Sequence, residues 1–194
     1  GRAGIAIRGS STVIVNGGSI SSSGNNAIYN NGSNVNVTVN GGEITGGSGL
    51  YCDAGTSKYT LNGGTITGTS IGVRMQADNC HFDMNDGYVE APSYGIYTYG
   101  QNNTINIVDG EVKATAGIGI RDERSKNTSY LGKTNITGGK ISGTTYGMHM
   151  YYNTVNISNA EIISYSLNRD NYAFLCNDWS GCTTNEATKL VAER

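Results

Sequence analysis

The chain has 194 residues, of which 29 are Gly and one is Pro; 14% are charged, 37% are hydrophobic, and the formal net charge is −2. Average soluble domains carry about 7% Gly, about 5% Pro and about 25% charged residues. Collagen-like, proline-rich and polyelectrolyte chains are therefore excluded, no apolar run approaches the ~18 residues that cross a bilayer, and no basic nucleic-acid-binding surface is expected.

The chain opens on Gly1-Arg2-Ala3-Gly4 in mid-pattern, so further coils or another domain are expected upstream. A turn then recurs: Val15-Asn16-Gly17-Gly18, Val39-Asn40-Gly41-Gly42, Leu61-Asn62-Gly63-Gly64, Met84-Asn85-Asp86-Gly87, Ile107-Val108-Asp109-Gly110, Ile136-Thr137-Gly138-Gly139 and Ile157-Ser158-Asn159-Ala160. Successive turns lie 24, 22, 23, 23, 29 and 21 residues apart. A fixed period of this length means stacked units.

Within each row, apolar and polar residues alternate with the two-residue period of a strand that buries one face. The first strand ends at the turn and points inward with Val13/Val15, Val37/Val39, Tyr59/Leu61, Phe82/Met84, Ile105/Ile107, Ile136 and Val155/Ile157. The second points Ile20, Ile44, Ile66, Val89, Val112, Ile141 and Ile162 inward. The third is a small residue followed by an apolar one: Ala27-Ile28, Gly49-Leu50, Gly72-Val73, Gly95-Ile96, Gly117-Ile118, Gly147-Met148 and Ala173-Phe174.

Strands this short cannot close a core within one row. Each must pair with its equivalent in the next row, which gives an all-β, parallel, three-sheet solenoid of about seven coils, roughly 30 Å long at ~4.8 Å per coil. Asn16, Asn40, Asn62 and Asn85 then stack as an amide ladder that tolerates the left-handed turn backbone. The coils are expected over residues 1–175, with a C-terminal cap over 176–194. There Thr183-Thr184-Asn185-Glu186 has the form of a helix capping box, followed by Ala187, Leu190 and Val191 on one face of a short capping helix.

Leu61-Asn62-Gly63-Gly64-Thr65-Ile66-Thr67-Gly68, followed by Ile71-Gly72-Val73, resembles the repeat of right-handed, single-stranded parallel β-helix proteins of the pectate lyase-like superfamily. The resemblance covers about residues 4–175 and is nearest to the Gly/Thr/Asn-rich extracellular solenoids of Gram-positive bacteria. It implies a secreted or cell-surface module. One branch carries calcium-binding Gly-Asp-Gly-Ile-like loops at the third strand, but the matching Ser48-Gly49-Leu50, Ile71-Gly72-Val73, Tyr94-Gly95-Ile96 and Tyr146-Gly147-Met148 lack the Asp. The architecture hosts lyases, phage tailspikes, adhesins and non-catalytic polysaccharide binders.

A solenoid turns outward positions into columns. The position after the third-strand apolar residue reads Tyr29, Tyr51, Arg74, Tyr97, Gly119 and His149, and two residues on it reads Asn31, Asp53, Gln76, Tyr99, Arg121 and Tyr151. Aromatic faces at rung spacing among amides, acids and Arg suit sugar rings, with C–H faces on Tyr and hydroxyls on the polar groups. Tyr also has high strand propensity, so a plain solvated sheet accounts for the same residues.

Asp86 and Asp109, one coil apart in one turn column, are the candidate acidic pair; Asp-Gly also simply suits such a turn. Arg121 opens the charged run Arg121-Asp122-Glu123-Arg124-Ser125-Lys126 of the long fifth coil, where a lyase would place its base. Glu111 and Lys140 form a surface ion pair. His81 and His149 lie in distant coils, which leaves no zinc arrangement. Cys176 and Cys182 enclose a five-residue loop, either closed by a disulfide in an oxidising compartment or holding two free thiols. Cys52 falls in an inward column as core filler, and Cys80 has no evident partner.

The expected function is an extracellular, non-catalytic, adhesin-like module that binds polysaccharide or host glycan without metal or cofactor, as a monomer or part of a longer chain. The alternatives are a polysaccharide lyase or glycosidase, the shaft of a trimeric phage tailspike, and a structural spacer.

Overall fold

The computed structural model describes residues 3–123, 131–151, 153–166, 172–176, 181–184 and 188–192, with backbone only for 181–184 and 192. The chain starts with β1 (Ala3–Ile7), then winds through β2 (Thr12–Val15), β3 (Ser19–Ser21) and β4 (Asn26–Asn30). The second and third coils are β5 (Asn36–Val39) with β6 (Glu43–Cys52), and β7 (Lys58–Leu61) with β8 (Thr65–Met75). The next two are β9 (His81–Met84), β10 (Tyr88–Ala91) and β11 (Tyr94–Thr98), then β12 (Thr104–Ile107), β13 (Glu111–Ala114) and β14 (Ile118–Asp122). There follow β15 (Gly132–Ile136), β16 (Lys140–Gly143) and β17 (Tyr146–Met150), β18 (Asn153–Ile157), β19 (Glu161–Ser164) and β20 (Phe174–Cys176), and finally β21 (Gly181–Thr184) and β22 (Lys189–Ala192).

Each strand pairs in parallel with its equivalent one coil away, which makes the molecule a parallel β-solenoid of about seven turns. First strands form an eight-stranded sheet from β2 to β21. Second and third strands, expected as two sheets, form one 14-stranded sheet. The reason is local: β6 and β8 run through both positions without a break, because Gly46-Gly47 and Gly68 let the strand bend at the corner.

The inward columns close the core. Ile44, Ile66, Val89, Val112, Ile141 and Ile162 stack on the second strands, and Ile28, Leu50, Val73, Ile96, Ile120 and Met148 on the third, all essentially inaccessible. The fifth coil departs from expectation. Ile120, not Ile118, pairs with Ile96 and Met148, so the small residue of that row is Gly119. Gly117-Ile118-Gly119-Ile120 repeats with the strand period, and either register looks alike until the neighbouring coils choose.

The Asn ladder is present: Nδ2 of Asn40, Asn62 and Asn85 donates to Oδ1 of the preceding Asn at 2.8, 2.8 and 2.7 Å. The left-handed backbone, however, falls two residues later, on Gly18, Gly42, Gly64, Gly87, Gly110 and Gly139, and in the seventh row on Asn159, one residue after Ser158. A second ladder runs along the first-strand face, from Asn156 through Asn135 and Asn106 to Asp83. Burial pushes the Asp83 carboxyl up, but the Lys58 ammonium at 2.8 Å and the Asn106 amide outweigh it and leave a net lowering.

The capping helix is replaced by strand. Thr183 and Thr184 pair with Asn156 and Ile157 in β21, and Leu190 and Val191 pair with Ile162 and Ile163 in β22. The open strand edges of β18 and β19 offer this segment more backbone hydrogen bonds than a single helix cap would. Asn185, Glu186 and Ala187 lie outside the described residues.

Cys52 and Cys80 are joined by a disulfide, which corrects their reading as core filler and an unpartnered thiol. Cys52 ends a third strand and Cys80 precedes the first strand of the coil after next, so the bond crosses one corner diagonally. The same diagonal carries Asn30 Nδ2 to Ser57 Oγ at 2.9 Å and Asn153 Nδ2 to Asp122 Oδ2 at 2.9 Å. Cys176 is also disulfide-bonded; the side chain of Cys182 lies outside the described residues.

Candidate functional site on the third-strand face

Pairing between the third strands builds one outward column of Ala6, Tyr29, Tyr51, Arg74, Tyr97, Arg121, His149 and Leu175. Arg121 therefore stands where Gly119 was expected, and Glu123 takes the place two residues on. The shift follows from the register of β14. It also turns Asp122 inward, where it is fully buried, so Arg121 and Asp122 belong to a strand and not to a protruding loop. Residues 124–126 of the charged run lie outside the described residues.

The column is held by its neighbours. Tyr29 and Tyr51 donate their hydroxyls to the two oxygens of Asp53 at 2.6 and 3.0 Å, and Asn31 Nδ2 donates to the Tyr29 oxygen at 3.2 Å. The two rings lie 5.4 Å apart, tilted by 60°. The Arg74 guanidinium sits 4.8 Å from the centre of the Tyr51 ring, and its Nε and Nη2 donate to Gln76 Oε1 at 3.2 and 2.8 Å. Tyr97 stacks on Tyr94 with ring centres 5.1 Å apart. Arg121 pairs with Glu123 at 3.4 Å, contacts His149 Nδ1 and lies 5.1 Å from the Tyr151 ring centre. The His149 ring is packed between Tyr146 and Tyr151, at 5.0 and 4.6 Å.

Protonation follows from this packing. The hydrogen bond to Asp53 raises the Tyr29 phenol above its ordinary value, and burial does the same for Tyr51. Burial, with help from the Glu123 carboxylate, pushes Tyr97 up to about 12. Burial and the adjacent Arg121 charge hold His149 down to about 4, so the imidazole is neutral at neutral pH. His149 is only 7% exposed, which makes it a wall of the face more than a ligand contact, whereas Tyr99 is 44% exposed.

The acidic candidates are otherwise engaged. Asp86 and Asp109 each accept the backbone N–H of the following glycine, Gly87 and Gly110, at 2.7 and 2.8 Å, as Asp does in a turn. Glu111 and Lys140 pair at 3.8 Å in an outward column that continues as Glu161 and Lys189. Among the described residues, no three His, Cys, Asp or Glu side chains converge on one point.

Tyr94, Tyr146 and Glu123 belong to the same face and were not among the expected residues. Tyr94 and Tyr146 precede Gly at one row position, a recurrence visible in the sequence; Glu123 was hidden by the two-residue ambiguity of its strand. At the first two coils, where Ala3 and Ala6 replace larger side chains, the face sinks into an open concavity of about 600 Å³ between Arg8, Asn26, Tyr29 and Asn31.

No family model matches the chain, and no curated protein or solved structure is significantly similar to it. The architecture is a parallel β-solenoid, and such an architecture does not by itself assign an activity.

Proposed function

We propose that the chain is an extracellular, non-catalytic β-solenoid module whose third-strand face binds carbohydrate on a polysaccharide or on a cell or host surface. The observation that carries this reading is the column Tyr29, Tyr51, Arg74, Tyr97 and Arg121, in which aromatic and guanidinium groups follow one another at strand spacing, ~4.8 Å. Side chains already held by Asp53, Gln76 and Glu123 have little freedom left to lose when a sugar chain lies on them. The bonded state of Cys52, Cys80 and Cys176 supports an oxidising compartment. Within β-solenoids, the Leu61–Val73 repeat supports membership of the right-handed pectate lyase-like group.

A non-catalytic role is preferred because the acids on this face are tied to Tyr and Arg partners, and His149 is buried and neutral. The test is a Tyr51→Ser, Tyr97→Ser, Tyr99→Ser triple variant, with binding measured by titration calorimetry against chitohexaose, cellohexaose and xylohexaose. Binding of at least one probe by the parent chain, weakened at least tenfold in a folded variant, is expected; undiminished binding would remove this face from the account. Shortened or unsaturated products from any probe would instead favour an enzyme.

A further inference from the structure

The third-strand face is not uniform along its length. From Tyr29 to His149 its central column carries Tyr, Arg or His on every rung, whereas the last rung carries Leu175 and the first carries Ala6, with Ala3 beside it. The floor drops there, and the Tyr29 ring becomes a wall of the 600 Å³ concavity. Its volume lies within the ~300–1,000 Å³ of small-molecule sites. The rest of the lining is polar, namely Arg8, Asn25, Asn26 and Asn31, with a guanidinium that donates and amides that both donate and accept. Arg8 is exposed and lines the opening.

Tyr29 is held at its hydroxyl from two sides. Its oxygen donates to Asp53 at 2.6 Å and accepts from Asn31 at 3.2 Å, while the second Asp53 oxygen ties in Tyr51. Asp53 lies one coil away from the concavity and does not line it.

We infer that this concavity is the primary subsite of the proposed carbohydrate face, taking one hydroxyl-rich sugar ring against Tyr29, with Asp53 as the positioning residue that fixes Tyr29. The inference rests on the carbohydrate reading and adds where along the face binding is strongest. An apolar floor and one aromatic wall take the C–H face of a pyranose, and a polar rim of donors and acceptors takes its hydroxyls. Arg74, Tyr97 and Arg121 then make secondary contacts with the rest of an extended chain.

The same three hexasaccharides test it. In the folded protein, Tyr29→Ser and Asp53→Ala are each expected to weaken binding at least tenfold, Tyr97→Ser no more than about threefold, and Asp53→Asn, which keeps an acceptor, should recover most of the loss. Asp53→Ala should also bring the Tyr29 phenol back toward its ordinary titration, read by ultraviolet absorbance, with little change in melting temperature because Asp53 is exposed. Parent-like binding by Tyr29→Ser and Asp53→Ala, or an equal loss in Tyr97→Ser, overturns the subsite and leaves the carbohydrate face standing. Failure of the parent chain to bind any of the three probes overturns both.

Discussion

Gly95 shows how one position sets the geometry of a rung. A Cβ there would lie 2.5 Å from Val112 Cγ1 and 2.7 Å from the Gly119 carbonyl oxygen, and Gly72, Gly119 and Gly147 meet the same obstacle in their own coils. Second-strand side chains press on third-strand backbone at this corner, so the column needs a residue without a side chain. Gly95→Ala is expected to cost about 1–3 kcal/mol in urea unfolding, the usual range for overpacking. Gly41→Ala, whose Cβ would stand 3.5 Å from Asn16 O, should stay within about 0.5 kcal/mol. His149 makes a prediction about pH. The unfolded chain takes up that proton near the ordinary 6.5, the folded chain only near 4, so across this interval the unfolded state binds more protons. Stability is full above pH 6.5 and falls as the pH drops toward 4, by about 3 kcal/mol for this one group. Urea midpoints at pH 7 and pH 4.5 should therefore draw closer together in His149→Gln; an unchanged gap would assign the pH dependence to other groups.

The elements are joined by two kinds of tie between coils. Asn62 donates to Asn40 and accepts from Asn85, so Asn62→Ala breaks two exposed bonds and should cost about 1 kcal/mol in thermal unfolding. The Cys52–Cys80 disulfide closes a span of 28 residues, and removing it in a Cys52→Ala, Cys80→Ala variant should cost about 3–4 kcal/mol on the chain-entropy argument. The two ties differ in how far they can be read from sequence. The Asn ladder repeats at one position of the row, and periodicity alone finds it. The disulfide joins different positions of different rows, so a column-by-column reading sets Cys52 beside Met75 and misses Cys80; only the corner geometry brings them together. The same limit hid the place of Arg121 and Glu123, because Gly-Ile-Gly-Ile satisfies two registers. It also misplaced the C-terminus, where Thr183 and Thr184 satisfy a cap motif locally yet find strand partners in β18.

For the whole molecule, strand pairing joins each coil to those before and after it, and the diagonal ties Cys52–Cys80, Asn30–Ser57 and Asn153–Asp122 reach one coil further. Stability is therefore close to a sum of coil and interface terms supplemented by these ties. This arrangement gives three long faces with different chemistry. The first-strand face is a ladder of amides, the second carries the alternating Glu111, Lys140, Glu161 and Lys189, and the third carries the braced Tyr and Arg column. The third combines aromatic surface with fixed polar groups from Tyr29 to His149, which is the basis of the proposed function. The most direct measurement is binding of the purified chain to a printed glycan array at neutral pH. Selective retention on extended glycans, lost in the Tyr51, Tyr97 and Tyr99 variant, is the predicted result. An array on which the parent chain binds nothing, or on which the variant binds as the parent does, would contradict the account and leave the solenoid as a spacer or its ligand on another face.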